Sequence, residues 1–292
     1  FIDNVTVPVV ELSHLQEQVG VLAARFYGDP SRAMHVVGVT GTNGKTTTSR
    51  IIAQLVRAVG KPCGVIGTLG ATLSDDVGAA DNTTPDAVSL QRQLAQWLSQ
   101  HVLVVSMEVS SHALQQGRVN GVEFATAIYT NLSHDHLDYH GSMENYFQAK
   151  LRLFTEILDA GGAAVVNINT PYSERIVEAC NARGIRVIEY GTGARHIRLN
   201  KRKPLPAGQF VALLVFGERY ELELPLVGEF QAENALCALG LVIAEDPDNR
   251  LLHMQGVYAL ERLQSVRGRL EFAARHPNGA AIYVDYAHTP DG

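Results

Sequence analysis

Lys45, Thr46, Glu108, Lys150 and the histidine- and carboxylate-rich run Asn131 to His140 are the residues whose types and settings could do chemistry, and Lys45 sits in the most informative setting. His35-Val36-Val37-Gly38-Val39-Thr40 is a β-branched run suited to a buried strand. Gly41-Thr42-Asn43-Gly44 follows, small and turn-tolerant, and from Lys45 a helical pattern begins with Ile51, Ile52, Leu55, Val56 and Val59 before Gly60. Strand, glycine loop and helix in that order make an anion cradle, because free backbone N–H groups and the positive helix end converge. Lys45 adds a charge there, and Thr46 a hydroxyl able to hold Mg²⁺. The strict pattern G-x-x-x-x-G-K-[ST] would place glycine at position 39, where this chain has Val39, with Gly41 instead. A glycine turn before a surface lysine is the plain alternative. The context favours a nucleoside triphosphate site.

Three further constellations carry chemistry. Glu108, in Met107-Glu108-Val109-Ser110-Ser111-His112, follows an apolar strand. Ligands of doubly wound sheets gather at such carboxyl ends, where a carboxylate could take a phosphate-bound Mg²⁺ or simply be solvated. The run Asn131 to His140, NLSHDHLDYH, is dense in histidine and carboxylate. Zinc, surface histidines and Mg²⁺ all remain open there, with a nearby phosphate loop favouring Mg²⁺. Lys150 interrupts the apolar stripe Met143, Tyr146, Phe147, Leu151, Phe154, Leu158. Such a lysine either snorkels to solvent or is desolvated, with a depressed pKa and a reactive amine.

The elements that must position these groups alternate along the chain. Strands are expected at Val7–Val10, 35–40, 64–68, 102–107, 124–129, 163–168 and 185–190. Helices are expected at 12–26, 45–59, 85–99 with Thr84 as cap, 142–158 and 171–183. This alternation predicts an α/β fold, a mostly parallel sheet with helices on both faces. Residues 209–226 depart from it as a small antiparallel hairpin around Gly217-Glu218, followed by helices from Glu229 and Leu251 and strands near Leu270 and Ile282. Residues 1–31 are expected to be an amino-terminal remnant and connector, and 32–292 a central nucleotide-binding domain.

Composition narrows the partners. The 292 residues are 46% hydrophobic and 18% charged, which fits an ordinary globular chain able to bury a sizeable core. A net charge of −6 argues against a general nucleic-acid or membrane-surface role. No apolar run is long enough to span a bilayer, and no secretory signal opens the chain. Cys63, Cys180 and Cys237 form no C-x-x-C, so reduced thiols in the cytoplasm are expected.

Six motifs in order carry a resemblance. Thr40–Thr48 (TGTNGKTTT), Met107–His112, Asp135–Gly141 (DHLDYHG), Ala149–Phe154 (AKLRLF), Gly268–Glu271 (GRLE) and Asp285–Asp291 (DYAHTPD) together resemble the Mur ligases of bacterial cell-wall synthesis. The match is nearest to the MurE type. The resemblance covers that type's central ATP-binding domain; its uridine-binding and carboxy-terminal domains would lie outside these residues, so this stretch alone is expected not to ligate.

The resemblance implies an ATP-dependent amide ligase of peptidoglycan synthesis, serving cell shape and division. The D-glutamate γ-carboxylate of UDP-N-acetylmuramoyl-L-alanyl-D-glutamate would become an acyl phosphate, and a diamino acid would attack it. Gly41, Thr42, Asn43, Gly44, Lys45, Thr46 and Thr47 would cradle the phosphates. Arg269 would be a phosphate contact, Asp285 a ribose contact and Asn234 an adenine contact. Two Mg²⁺ ions are implied, one on Thr46 and Glu108, the other on Glu108, His136 and a CO₂-derived carbamate of Lys150. Thr83, Thr84, Ser110 and Arg118 match positions holding the peptidyl substrate. A monomer is implied, and meso-diaminopimelate rather than lysine is the commoner acceptor in the family. Gln231 stands where the family usually has a second asparagine. Folylpolyglutamate synthetases share the fold and the acyl-phosphate logic, but their loop usually reads G-K-G-S. A regulatory nucleotide-binding module is the non-enzymatic alternative, and it would have no need of a second metal.

Overall fold

The computed structural model describes residues 8–74, 78 and 81–287. Helix α1 (Leu15–Phe26) leads into strand β1 (His35–Thr40), then helix α2 (Lys45–Ala58), β2 (Cys63–Gly67) and β3 (Gly70–Thr72). Next come α3 (Ala87–Ser99), β4 (Val104–Glu108), α4 (Ser111–Gln115), β5 (Phe124–Tyr129), α5 (Leu137–His140) and α6 (Met143–Arg152). The chain continues through β6 (Leu158–Asn167), α7 (Ser173–Ala182), β7 (Arg186–Gly191), β8 (Ile197–Leu205), β9 (Gly208–Val215) and β10 (Glu218–Leu224). It closes with α8 (Glu229–Glu245), α9 (Arg250–Ala259), β11 (Glu271–Arg275) and β12 (Ala281–Val284).

Ten strands form one sheet in the order β10-β9-β8-β7-β6-β5-β1-β4-β2-β3. Every pair from β2 across to β7 is parallel, as the strand–helix alternation predicts, and β8 adds a short parallel pairing to β7. Successive residues of each central strand face opposite sides, so both faces must be apolar and both are covered. Val37, Val39, Ile128 and Val165 pack towards α2 and α8. Val36, Val105, Met107, Ala127, Tyr129 and Val166 pack on the other side, towards α3, α6 and α7. β1 pairs with β4 on one side and β5 on the other, setting Val39 beside Glu108 and Thr40 beside Tyr129. Chain direction away from the sheet diverges at β1, and the carboxyl ends there leave an open crevice.

Several elements differ from the sequence expectation. No strand forms over residues 8–10, and Val7 lies outside the described residues. Thr84 does not cap α3. Asp86 does, its carboxylate accepting from the Val88 and Ser89 N–H groups at 3.0 and 2.9 Å, while Thr84 is turned inward to the Glu108 carbonyl. The helix expected over 142–158 begins as predicted, with Ser142 as its cap, but only Met143–Arg152 is α-helical. A π-helical turn at Leu153–Ile157 ends it, where the Arg183 guanidinium donates to the Phe154 and Leu158 carbonyls. The hairpin around Gly217-Glu218 is present, but β8 joins it to make three antiparallel strands that extend the main sheet. β3 adds a short antiparallel edge next to β2, and β11–β12 form a separate two-stranded sheet.

Candidate active site

The carboxyl ends of five neighbouring strands lay out the site in strand order. β6 ends at Asn167, β5 leads to Thr130 and Asn131, β1 to the Gly41–Gly44 loop, β4 to Glu108 and β2 to Thr68. Two cavities open along this row. One, of about 250 Å³, is lined by Thr42 to Thr47, Thr68, Thr83, Glu108, Ser110, Asp135, His136 and Arg269. The other, of about 240 Å³, shares Asn43, Gly44, Thr47 and Arg269 and continues to Asn167, Glu233, Asn234 and Asp285. A larger, mainly apolar cavity of about 500 Å³ lies elsewhere, beside Leu55, Leu103 and Leu241, and none of the motif residues lines it.

The glycine loop is held by its neighbours before any ligand arrives. Asn131 accepts from the Asn43 N–H at 2.8 Å and donates back to the Asn43 carbonyl at 3.1 Å, and the Thr130 hydroxyl donates to the same carbonyl at 2.7 Å. The Thr42 hydroxyl, near Tyr146 Oη at 3.2 Å, accepts from the Ser133 N–H at 3.0 Å. Gly44 caps α2 at φ +85°, and a Cβ there would stand 2.5 Å from Asn234 Oδ1. Loop conformation and close packing therefore both call for glycine. Its carbonyls face inward too. Lys45 Nζ donates to Gly41 and Thr42 carbonyls at 2.9 and 2.7 Å, and burial lowers its pKa against the pull of Glu108 and Asp135.

Glu108 is the most enclosed acid of the site, 1% exposed. Its carboxylate accepts from Thr46 Oγ1 at 3.0 Å, from the Thr68 N–H at 2.8 Å and from Thr68 Oγ1 at 3.2 Å. Burial raises its pKa, while Lys45, these hydrogen bonds and Arg269 oppose the shift. A Cβ on Gly67 would meet its Oε1 at 2.0 Å, so glycine at the end of β2 makes room for the acid. Thr46 Oγ1 and Glu108 Oε2 form an all-oxygen pair beneath the glycine loop, the donor chemistry that suits Mg²⁺.

The histidine-rich run folds back over this pair. His136 takes the left-handed conformation at φ +52° before α5, and its ring nitrogen lies 3.3 Å from Asp135 Oδ2. Burial lowers its pKa, as do Lys45 and Lys150, against Asp135, so the neutral ring that a metal requires is favoured. His140 is spent elsewhere: it pairs with Ser111 Oγ at 2.9 Å and lies against Tyr146, its pKa lowered to about 4 chiefly by burial. Among the described residues no three His, Cys, Asp or Glu side chains converge as a metal-binding group, so the zinc option for this run has no ligand set.

Lys150 does not snorkel. It is 1% exposed, its Nζ donating to the Gly41 carbonyl at 2.9 Å and lying 4.4 Å from the centre of the Tyr146 ring. Burial and then Lys45 hold its pKa well below the ordinary lysine value.

The structure thus gathers Lys45, Thr46, Thr47, Thr83, Glu108, Ser110, His136 and Arg269 on one cavity wall, and Asn234 and Asp285 on the adjoining one. Arg269 reaches over the loop, Nη2 3.4 Å from Thr46 Oγ1, and Asp285 accepts from the Leu270 N–H at 3.0 Å, which fixes the Arg269 segment. His288, Thr289, Pro290 and Asp291 of the last motif lie outside the described residues. Thr84, Arg118, Gly41 and Lys150 stand behind the walls. Thr84 donates to the Glu108 carbonyl at 2.8 Å, and Arg118 donates to the Thr84 carbonyl at 3.0 Å. Gln231, in the place of the expected asparagine, accepts from Asn234 Nδ2 at 3.4 Å and donates to the Arg269 carbonyl at 3.3 Å, tying α8 to the Arg269 segment. Thr68, Asn131, Asn167 and Glu233 belong to the site without a motif that gives them a role. Only their place at strand ends or on the cavity wall marks them.

Residues 39–242 match the family model described as Mur ligase middle domain. A UDP-N-acetylmuramoyl-L-alanyl-D-glutamate–2,6-diaminopimelate ligase of Zymomonas mobilis is 41% identical over 271 residues, covering 93% of this chain and 54% of that protein. The ligase of the same name from Caulobacter vibrioides is 39% identical over 298 residues, covering 100% and 60%. This chain therefore spans little more than half the length of these relatives. A solved ligase of that name superposes with a TM-score of 0.80 at 32% identity, over 95% of this chain and 56% of the other. A Mycobacterium tuberculosis folylpolyglutamate synthase, complexed with ADP and AMPPCP, superposes at 0.73 with 22% identity, over 95% and 70%, a likeness of fold.

Proposed function

The chain belongs to the Mur ligase family, and from that premise we propose that residues 32–292 are the nucleotide-binding middle domain of a ligase joining 2,6-diaminopimelate to UDP-N-acetylmuramoyl-L-alanyl-D-glutamate. The observation that carries this reading is the Thr46–Glu108 pair, 3.0 Å apart under a glycine loop whose lysine faces the same cavity. ATP would lie along the row of strand ends, its triphosphate on Gly41 to Thr47 with Arg269, its ribose by Asp285 and its base by Asn234. Residues 1–31 would connect to an amino-terminal domain.

The chemistry proposed is transfer of the γ-phosphoryl group to the D-glutamate γ-carboxylate, with ADP leaving. The diaminopimelate amine then attacks the acyl carbon, loses a proton and expels phosphate. Phosphoryl transfer asks the protein for position and charge compensation. Lys45 supplies a cation that can move from the Gly41 and Thr42 carbonyls to the β- and γ-oxygens. Thr83 and Ser110 face the acceptor end of the cavity, while Thr84 and Arg118 support them from behind. Thr46 and Glu108 would hold one Mg²⁺, and Glu108, His136 and a carbamate on Lys150 a second. Bound there, the ions would neutralise phosphate oxygens.

Cytoplasmic action fits the three free buried cysteines, together with the finding that no described helix is long and apolar enough to cross a membrane. A monomer is proposed. The test is phosphate release from ATP by the intact enzyme. Release should depend on the muramoyl dipeptide together with diaminopimelate. Release driven by a folate and glutamate, or by lysine in place of diaminopimelate, would overturn the substrate assignment.

A further inference from the structure

The cavity beyond the phosphate loop has a wall that no motif explains. Asn167, Tyr190, Phe230 and Glu233 line only that lobe, away from the cavity wall that carries Lys45 and Glu108. Asn167 is buried at the end of β6, and its amide is oriented by its own loop, Oδ1 accepting from the Asn169 N–H at 3.0 Å. The amide nitrogen is thereby turned to Glu233, donating to Oε2 at 3.3 Å. Asn167 is the hydrogen-bond partner of Glu233 among the described residues, and it engages one of the two carboxylate oxygens. Glu233 is half-buried and lines the lobe, so its carboxylate can meet a ligand there.

An ionised carboxylate only accepts hydrogen bonds. Adenine offers an N6 amino donor at the edge where guanine and hypoxanthine carry an O6 acceptor. A 6-oxo purine would bring two acceptors together in a partly buried lobe, and neither could be satisfied by the other. We infer that Glu233 selects the base of the bound nucleotide, favouring 6-amino purines over 6-oxo purines. The inference rests on the reading of this cleft as a nucleotide site. Burial raises the Glu233 pKa, so the comparison is made at several pH values, and the discrimination should strengthen as the carboxylate ionises.

The test is calorimetric titration of the intact enzyme with ADP, IDP and pyrophosphate, using the wild type, Glu233→Gln and Glu233→Ala. IDP replaces the N6 amino group of ADP with O6 and carries a proton on N1. A wild type that prefers IDP would mean that the carboxylate meets N1–H, and that overturns the inference. Glutamine keeps an acceptor for Asn167 and adds a donor for O6, so the fold has no cause to change. The wild type should bind ADP roughly tenfold or more tightly than IDP, the worth of one hydrogen bond to a charged group. Glu233→Gln should bring the ratio close to one, Glu233→Ala should weaken ADP more than IDP, and pyrophosphate should bind all three alike. A wild type indifferent to the base overturns the inference. So does a ratio that survives both substitutions, or an equal loss for ADP and IDP, which would place Glu233 on the ribose or in a structural role. If neither ADP, IDP nor pyrophosphate binds, the nucleotide reading itself fails, a result distinct from lost discrimination.

Discussion

Lys45 and Lys150 donate to the same atom: each Nζ lies 2.9 Å from the Gly41 carbonyl oxygen. They come from different helices, α2 and α6, which cover opposite faces of the sheet. One carbonyl has lone pairs for both, but two buried ammonium groups around one oxygen repel each other. Burial is the first cause of the lowered pKa of each, and Lys45 is the second cause for Lys150. The arrangement asks one amine to find an anion and the other to lose its charge.

Lys45 is the amine that can find an anion. Lys45→Ala should weaken ATP binding by about 1.5–3 kcal/mol, the worth of a charge-assisted hydrogen bond. Turnover should fall further, because charge grows on the phosphoryl oxygens in the transition state. Binding by titration and kcat by phosphate release separate the two effects. A variant keeping most of its kcat would remove Lys45 from the phosphates.

Gly67 tests the seat of Glu108. Its φ is not positive, so backbone strain is not at issue; the space is. In Gly67→Ala the new Cβ would lie 2.0 Å from Glu108 Oε1 and 2.6 Å from Cδ, and the carboxylate must move. A displacement of about an ångström costs on the order of 10²-fold in rate. kcat should drop by that much while circular dichroism stays native. Full activity would mean that the Glu108 position is not critical.

The glycine loop and its flanking elements were legible because local chemistry dictates them: a β-branched run, glycines at a tight turn, then a 3.6-residue period. Lys150 was legible only as a conflict, a charge on an apolar stripe, and its contact with Gly41 joins residues 109 apart in sequence. Thr68 was not legible, because it is defined by Glu108 on another strand, and Asn131, although it opens the histidine-rich run, gave no sign that it would hold Asn43 in the glycine loop. The same holds for Thr84. Pro85 after a threonine reads as a cap, yet the carbonyl of Glu108 on β4 draws its hydroxyl away and leaves the cap to Asp86. β8 was missed for a different reason. Its burial pattern lacks the clean alternation of β9, since Lys201 and Lys203 stand exposed on it.

Glu108 also makes a pH prediction for the ligand-free protein. Its folded-state pKa is raised above the unfolded value of 4.5, chiefly by burial. Stability from that shift is fully present below pH 4.5 and is lost as pH rises through the folded pKa. Glu108→Gln does not titrate and keeps an acceptor for the Thr68 N–H. Its melting temperature should exceed that of the wild type at neutral pH, with the gap closing as pH falls towards 4.5. A gap that does not vary with pH would assign the difference to packing.

Lys150 gives the sharpest test. Its amine is enclosed by Tyr146 and the Gly41 carbonyl and is repelled by Lys45, so the ammonium form is disfavoured. A neutral amine can add CO₂, forming an N–C bond and releasing a proton, and the side chain then carries a negative charge. The carbamate offers oxygen ligands to Mg²⁺ and removes the repulsion with Lys45. An ammonium has only donors and would repel a metal ion. Lys150→Arg, which keeps a positive charge, should therefore be nearly as inactive in the intact enzyme as Lys150→Ala. Acetate or formate should partly restore Lys150→Ala, by placing a free carboxylate where the carbamate would stand. Activity in the arginine variant, with no rescue of the alanine variant, would make Lys150 an ordinary cation that braces Gly41.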